Sequence, residues 1–224
     1  MNRRSKKNRN LTLTNRNKFR GLDTYTKRGS LCVNYLEKIY DTIDNALEEH
    51  PRTMAIRIDL RFPKYEQRLH QPNVISDFIR SLESQIKAEQ YRKEREGERV
   101  HKCTVRYVWV KEKNTALNEH YHLVLLFNKD RYNWLGKSKE KSDTLLSKIV
   151  SAWARTIDVD YSHANGLVYV SKDRDGAPVI HRLNKRSEDF TKQLNDLFKH
   201  TSYLAKESTK NYAGRKRNFG CSRK

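Results

Sequence analysis

Two histidines one residue apart stand at the start of an apolar run, and a glutamate precedes them by eight residues: His120, His122 and Glu112. Alternate residues of a β-strand share a face, so both imidazoles project the same way. If Glu112 pairs with His120 across a hairpin, its carboxylate joins them, whereas a one-residue slip turns it away. This donor set suits Mg²⁺ or Mn²⁺ better than a closed zinc site. The alternative is that these are half-exposed histidines beside an ordinary charged residue.

The last apolar helix carries a tyrosine, Tyr203, outside its apolar stripe. At 100° per residue, the stripe consists of Phe190, Leu194, Leu197, Phe198 and Leu204. Tyr203 falls about 200° from the middle of that stripe, and Lys206, three residues on, shares its side of the helix. A phenol with a nearby ammonium is a candidate nucleophile for phosphodiester chemistry. The alternative is a surface tyrosine that packs on its neighbours.

The elements that position these residues follow from apolar periodicity. Strict alternation predicts a strand in "TMAIRIDLRF", and "CTVRYVWVKE" followed by "HYHLVLLFN" predicts an antiparallel hairpin. Helical spacing predicts helices before Pro51, after Pro72, from about Ser142, and from about Ser187 to about Lys210. Turn signals around "LVYVS" and "PVIHRL" predict a second, weaker hairpin.

Together these elements predict an α+β fold with a central, mostly antiparallel sheet of about five strands flanked by helices. We expect a basic flexible arm at residues 1–29, one domain at residues 30–210 and a basic tail at residues 211–224.

The charge distribution indicates a polyanionic partner. The net charge is +20, with ten basic residues against one acid in residues 1–28 and seven against one in residues 205–224. Such clusters attract nucleic acid through counterion release, although a basic tail can also be solubilising disorder. No apolar stretch reaches the roughly 18 residues of a membrane span, and no signal-peptide pattern is present. We therefore expect a cytoplasmic protein without a membrane partner; the sequence does not indicate an oligomeric state.

Taken together, the motifs resemble those of the HUH endonucleases, in which His-hydrophobic-His binds a divalent ion and a downstream Tyr-x-x-Lys helix supplies the nucleophile. More narrowly, "YVWVKE", "HYHLVLLFNKDRY", "SYLAK" and "RNFGCS" look like segments of the replication initiators of filamentous phages and their prophage relatives, in the same order. The resemblance implies an HUH/RRM-like sheet. It also implies metal ligation by His120, His122 and Glu112, a nucleophilic Tyr203 and an electrostatic partner in Lys206.

The implied activity is nicking and joining of single-stranded DNA at a hairpin-associated origin, through a 5′-phosphotyrosine link, to start rolling-circle replication in a bacterial host. The host would then supply helicase and polymerase, because the sequence has no P-loop. Candidate DNA contacts are Arg57, Asp59, Arg61, Lys199 and Lys210, and Asp59 is alternatively an additional metal ligand.

A non-catalytic DNA-binding regulator on the same fold is the competing hypothesis, because net charge alone accounts for DNA binding. Tyr107, Trp109 and Trp134 are aromatic residues that either stack on unpaired bases or fill the core. Of the six remaining histidines, His200, one turn before Tyr203, is the one that we single out for testing.

Overall fold

The structure is a computed structural model that describes residues 3–27, 29–63, 73–112, 119–139, 141–208, 210 and 217–223. In chain order, the elements among these residues are β1 (Arg3–Arg4), β2 (Thr12–Thr14), β3 (Lys18–Phe19), β4 (Leu22–Asp23), β5 (Leu31–Cys32), α1 (Val33–Glu49), β6 (Arg52–Leu60), α2 (Val74–Arg95), β7 (Arg106–Glu112), β8 (His120–Asn128), α3 (Leu145–Ile157), α4 (Tyr161–Asn165), β9 (Val168–Val170), β10 (Ile180–Asn184), α5 (Phe190–Ser202), a 3₁₀ turn (Tyr203–Ala205) and β11 (Phe219–Cys221).

The predicted α+β fold is confirmed. The central sheet has the order β10-β6-β8-β7-β11, with β9 also paired to β6, and each of these pairings is antiparallel. β6 and β8 are the central strands, and β7 and β8 form the predicted hairpin; its connection, residues 113–118, lies outside the described residues.

Alternation along the strands divides the core between the two faces of the sheet. One face buries Met54, Ile56, Ile58 and Leu60 of β6 against apolar residues of α2 and α3. The opposite face packs residues such as Val108, Val124 and Leu126 against α1 and α5. On this second face the apolar residues occupy one end of the strands, and the other end holds Arg57, Asp59, His120, His122 and Glu112.

The N-terminal segment differs from the flexible arm that its composition predicts. Residues 3–27 include four short strands, and Leu13 is almost fully buried. The Ser5 hydroxyl donates to Glu207 Oε1 at 2.6 Å, which ties this segment to the C-terminal part of the domain. The basic side chains of this segment are exposed, whereas a few apolar and hydroxyl side chains are buried and anchor the backbone. The overall composition of the segment does not distinguish these two groups of residues.

Two further expectations differ from the structure. β9 and β10 do not form a ladder with each other: both pair with β6, and the excursion between them is closed by an isolated bridge from Lys172 to Pro178. The predicted basic tail contributes β11, which pairs with β7 and adds an edge strand to the sheet. None of β9, β10 and β11 is longer than five residues, so sequence periodicity alone does not identify the strand with which each of them pairs.

Across the part of the chain that the structure describes, every helix is too short or too polar to cross a bilayer.

Candidate active site

The hairpin register brings the three predicted metal ligands together. Glu112 lies opposite His120, and Val110 lies opposite His122, so the glutamate and both histidines share one face of the sheet. One ligand atom from each of the three residues lies within 4.8 Å of the other two. Glu112 and His122 are buried and His120 is half-buried. Of the two registers that the sequence left open, the structure has the one that brings the carboxylate to the imidazoles, and the three residues form a compact group able to hold one ion.

Asp59 of β6 fixes the orientation of His122. The two residues are paired in register, and Asp59 Oδ1 lies 2.5 Å from His122 Nδ1. On the other side of the ring, Nε2 lies 3.3 Å from Glu112 Oε2. A carboxylate that accepts from Nδ1–H leaves Nε2 as the atom that coordinates a metal. Asp59 therefore lies beside the candidate metal ligands, where it can support His122, whereas we predicted it as an additional ligand or a DNA contact.

The charges around the imidazoles favour a cation at this place. Burial disfavours the imidazolium form of His122, but hydrogen bonds to Asp59 and Glu112 outweigh burial and raise its pKa. Burial and the adjacent His122 lower the pKa of His120. For Asp59, burial is outweighed by the hydrogen bond to His122, which lowers its pKa. Two carboxylates around one imidazole thus stabilise positive charge, and the donor set fits a divalent ion with open coordination positions.

Tyr203 lies next to this group. Its ring centroid is 6.2 Å from that of His122, at a nearly perpendicular angle. The Lys206 ammonium donates to the Tyr203 hydroxyl at 3.1 Å. α5 ends at Ser202, so the contact arises from a 3₁₀ turn and not from the α-helical face that we predicted. The residues of this turn nevertheless bring the phenol and the ammonium together, close to the candidate metal ligands.

Arg57 places a second cation at the phenol. Its guanidinium carbon lies 4.5 Å from the centroid of the Tyr203 ring, and one guanidinium nitrogen is 3.5 Å from His122 Nδ1. The side chain is largely buried, and Arg57 Nε has no hydrogen-bond partner among the described residues. A buried guanidinium nitrogen without an acceptor is suited to an anionic ligand such as a phosphate.

Lys210, which we predicted as a DNA contact, is buried. Its side chain is 0% exposed, and its ammonium lies 3.9 Å from Glu112 Oε1. The same ammonium donates to the Lys206 carbonyl oxygen at 2.5 Å. Burial lowers the pKa of Lys210 to about 8, although Glu112 acts in the opposite direction. Lys210 therefore supports the candidate ligand Glu112 and the backbone of the turn that carries Lys206.

The remaining predicted DNA contacts, Lys199 and Arg61, lie in different environments. The Lys199 ammonium, on α5, lies 3.8 Å from the carboxylate of Asp23 in β4. Arg61, just after β6, is exposed, and its guanidinium carbon lies 4.5 Å from the centroid of the Tyr169 ring. Arg61 thus extends the polar end of the β6 face, whereas Lys199 is paired with the N-terminal segment.

The structure adds one neighbour of Tyr203 that the sequence did not indicate. The Tyr25 ring centroid lies 5.8 Å from that of Tyr203, and the Tyr25 amide donates to the Ser202 hydroxyl at 2.8 Å. Tyr25 belongs to the segment that we expected to be a flexible arm. No periodic pattern marks it, because the strands on either side are only two residues long.

The aromatic residues and His200 that we considered lie in several environments. Tyr107 and Trp109 pack against the core on the α2 and α3 face, whereas Trp134 is exposed. His200 Nδ1 lies 2.9 Å from His181 Nε2. Burial and the neighbouring imidazole lower the pKa of His200 to about 4, so this pair is held neutral at physiological pH.

Comparison with known proteins identifies relatives whose names assign no activity. A family model described as the YagK/YfjJ C-terminal domain matches residues 14–222. The chain is 31% identical over 202 residues to the uncharacterized protein YagK of Escherichia coli strain K12, which covers 87% of this chain and 94% of YagK. It is also 31% identical over 205 residues to the uncharacterized protein YfjJ of the same strain, with 87% and 96% coverage. No solved structure matches the chain significantly. The chain therefore belongs to the YagK/YfjJ C-terminal domain family.

Proposed function

We propose that this protein is a metal-dependent endonuclease and strand transferase that acts on single-stranded DNA, with Tyr203 as its nucleophile. One observation carries the proposal: the Tyr203 ring, with its hydroxyl bonded to Lys206, lies 6.2 Å from the ring of His122 in the candidate metal-binding group. A phenol, two neighbouring cations and a divalent-ion site in one place match the requirements of phosphoryl transfer to tyrosine. The motif resemblance to HUH endonucleases supports the same reaction.

In the proposed reaction, the Tyr203 oxygen forms a bond to the scissile phosphorus, and the bond from that phosphorus to the 3′ oxygen breaks. The phenol gives up its proton to solvent, and the departing 3′ oxygen takes one up, so charge and atoms balance. The product is a 5′-phosphotyrosine link and a free 3′-hydroxyl. Because one phosphodiester replaces another, the reverse reaction joins strands without ATP.

The residues of the site have separate tasks in this reaction. The Lys206 ammonium stabilises the phenolate as it forms, and the Arg57 guanidinium stabilises negative charge on the phosphate. Glu112, His120 and His122 would hold a divalent ion, Mg²⁺ or Mn²⁺, which supplies Lewis-acid polarisation of a phosphate oxygen when bound. Asp59 and Lys210 keep two of these ligands in position.

We extend the proposal to initiation of rolling-circle replication of a phage or mobile element, in the cytoplasm of a bacterial host. The strand carrying a 3′-hydroxyl would be extended by a host polymerase, with a host helicase opening the duplex. This extension depends on the motif resemblance and on the presence of a single tyrosine in the Tyr-x-x-Lys motif.

The test uses a pool of random-sequence single-stranded oligonucleotides, because a pool does not require a known origin. The wild-type protein with Mn²⁺ should form an adduct with DNA that survives denaturing gel electrophoresis, and EDTA should abolish it. Tyr203→Phe should form none, whereas the matched variant Tyr25→Phe, which changes the adjacent ring, should still form it. An adduct that persists in Tyr203→Phe contradicts the proposal. DNA binding that weakens steeply with salt, without any cleavage, favours the non-catalytic regulator instead.

A further inference from the structure

An exposed tyrosine borders the candidate active site on the side away from Glu112. Tyr169 of β9 is paired in register with Asp59, which is itself paired with His122. With adjacent strands about 4.8 Å apart, the Tyr169 backbone is about 10 Å from that of His122. Its neighbours Val168 and Val170 pack in the core on the opposite face. Tyr169 therefore projects from the same face of the sheet as the metal-binding group.

The exposure of Tyr169 is unusual within this protein. Its relative exposure is 46%, and only two other large hydrophobic side chains among the described residues are comparably exposed, Tyr91 and Trp134. Tyr169 contributes little to the core, whereas Val168 and Val170 on either side of it do. An aromatic ring on the solvent side of a strand, next to a polar site, is suited to contact with a ligand.

Arg61 lies over the ring of Tyr169. Its guanidinium carbon lies 4.5 Å from the centroid of the Tyr169 ring, a cation–π distance. The Arg61 backbone is held on both sides: its amide donates to the Leu167 carbonyl at 3.0 Å, and its carbonyl accepts from Trp153 Nε1 at 2.9 Å. Since Trp153 is fully buried, the base of the Arg61 side chain is fixed while its guanidinium remains exposed.

We propose that Tyr169 and Arg61 form a stacking platform for an unpaired nucleobase of the DNA strand. At a stacked rise of about 3.4 Å per nucleotide, the distance of about 10 Å from His122 places this base within about three nucleotides of the scissile phosphate. The tyrosine supplies an aromatic face, and the guanidinium supplies a planar cation that also attracts the phosphate backbone. The platform favours single-stranded over duplex DNA, because a paired base is not free to stack on it. This inference rests on the proposed function, and it names the substrate feature that the site selects.

The test measures equilibrium binding of fluorescein-labelled dT20 by anisotropy in EDTA at about 150 mM salt, where no cleavage occurs and exposed charges are screened. Tyr169→Ala should weaken binding by about 5-fold to 150-fold, the range found for loss of base–aromatic stacking. Tyr169→Phe should retain wild-type affinity. The matched control is Tyr91→Ala, since Tyr91 is also exposed and carries the Lys87 ammonium 5.7 Å from its ring centroid; this variant should bind as wild type.

A second probe separates stacking from contact with phosphate. On an abasic strand of equal length, wild type and Tyr169→Ala should bind with the same affinity, because no base is present to stack. Equal affinity of wild type and Tyr169→Ala for dT20, or an equal loss on both strands, overturns the proposal, as does failure of the wild type to bind dT20. This assay measures binding and does not depend on cleavage, so the two proposals can fail separately. If the platform is demonstrated but the protein forms no adduct with DNA, only the proposed nuclease activity is refuted. If the protein forms the adduct but Tyr169→Ala does not weaken binding, only the platform is refuted.

Discussion

Replacing Asp59 by asparagine tests whether the carboxylate beside His122 supports metal binding. Asparagine keeps an oxygen able to accept from His122 Nδ1, now 2.5 Å from Asp59 Oδ1, but it removes the negative charge. Loss of a carboxylate that orients a metal-bound histidine typically costs 10-fold to 100-fold in metal affinity, which is about 1.4–2.8 kcal/mol. Because the hydrogen bond itself can persist, we expect a loss near the lower limit, about 10-fold.

Mn²⁺ affinity measured by isothermal titration calorimetry gives this loss directly, and the Mn²⁺ concentration for half-maximal adduct formation should rise by the same factor. The adduct rate at saturating Mn²⁺ should remain close to that of the wild type, because Asp59 acts through His122. The matched control is Asp130→Asn, which removes a carboxylate paired with Arg52 at the opposite end of β6, at 2.5 Å. Unchanged Mn²⁺ affinity in Asp59→Asn, or an equal loss in the control, refutes the reasoning.

Three further predictions concern other parts of the molecule. Lys206→Met removes the donor to the tyrosine hydroxyl and should lower the single-turnover rate of adduct formation by about 100-fold, with a much smaller effect on DNA affinity measured by anisotropy. The pKa of His200 is lowered from 6.5 to about 4, so between these pH values the unfolded chain binds a proton that the folded chain does not. The free energy of unfolding should therefore fall as the pH decreases through this range, by up to about 1.4 kcal/mol per pH unit. Urea unfolding should show a shallower decrease in His200→Gln than in the wild type. Gly220→Ala places a Cβ 2.5 Å from Trp109 Nε1 and should destabilise the fold by about 1–3 kcal/mol in urea unfolding, whereas Gly166→Ala, with a Cβ contact of 3.6 Å, should change stability by less than about 1 kcal/mol.

The part of the site built on the long hairpin could be predicted from the sequence. Alternation in the strands places His120 and His122 on one face, and the unbroken apolar run after them indicates a central strand that is covered on both faces. The spacing from Glu112 to His120 then allows one register that brings the carboxylate to the imidazoles, and the structure has that register. Local periodicity is sufficient here because both strands are at least seven residues long.

The remaining parts of the site depend on contacts between distant segments. Lys210 is buried against Glu112 in the segment that follows the 3₁₀ turn ending at Ala205, and no local pattern in the sequence marks this lysine as buried. Tyr25 reaches Tyr203 from a segment whose strands are two or three residues long. The position of Tyr169 beside Asp59 requires knowledge that β9 pairs with β6, whereas the turn signals predicted a hairpin with β10. Such pairings depend on packing over the whole sheet, so local patterns in a single sequence do not predict them.

Mass spectrometry of the protein after Mn²⁺-dependent cleavage of single-stranded DNA tests the central claim most directly. Digestion of the denatured adduct with protease and nuclease leaves a short nucleotide on the peptide that carried the nucleophile. The account predicts that this nucleotide is joined through its 5′-phosphate to Tyr203. A nucleotide on another side chain, or cleaved DNA without any modified peptide, would contradict it.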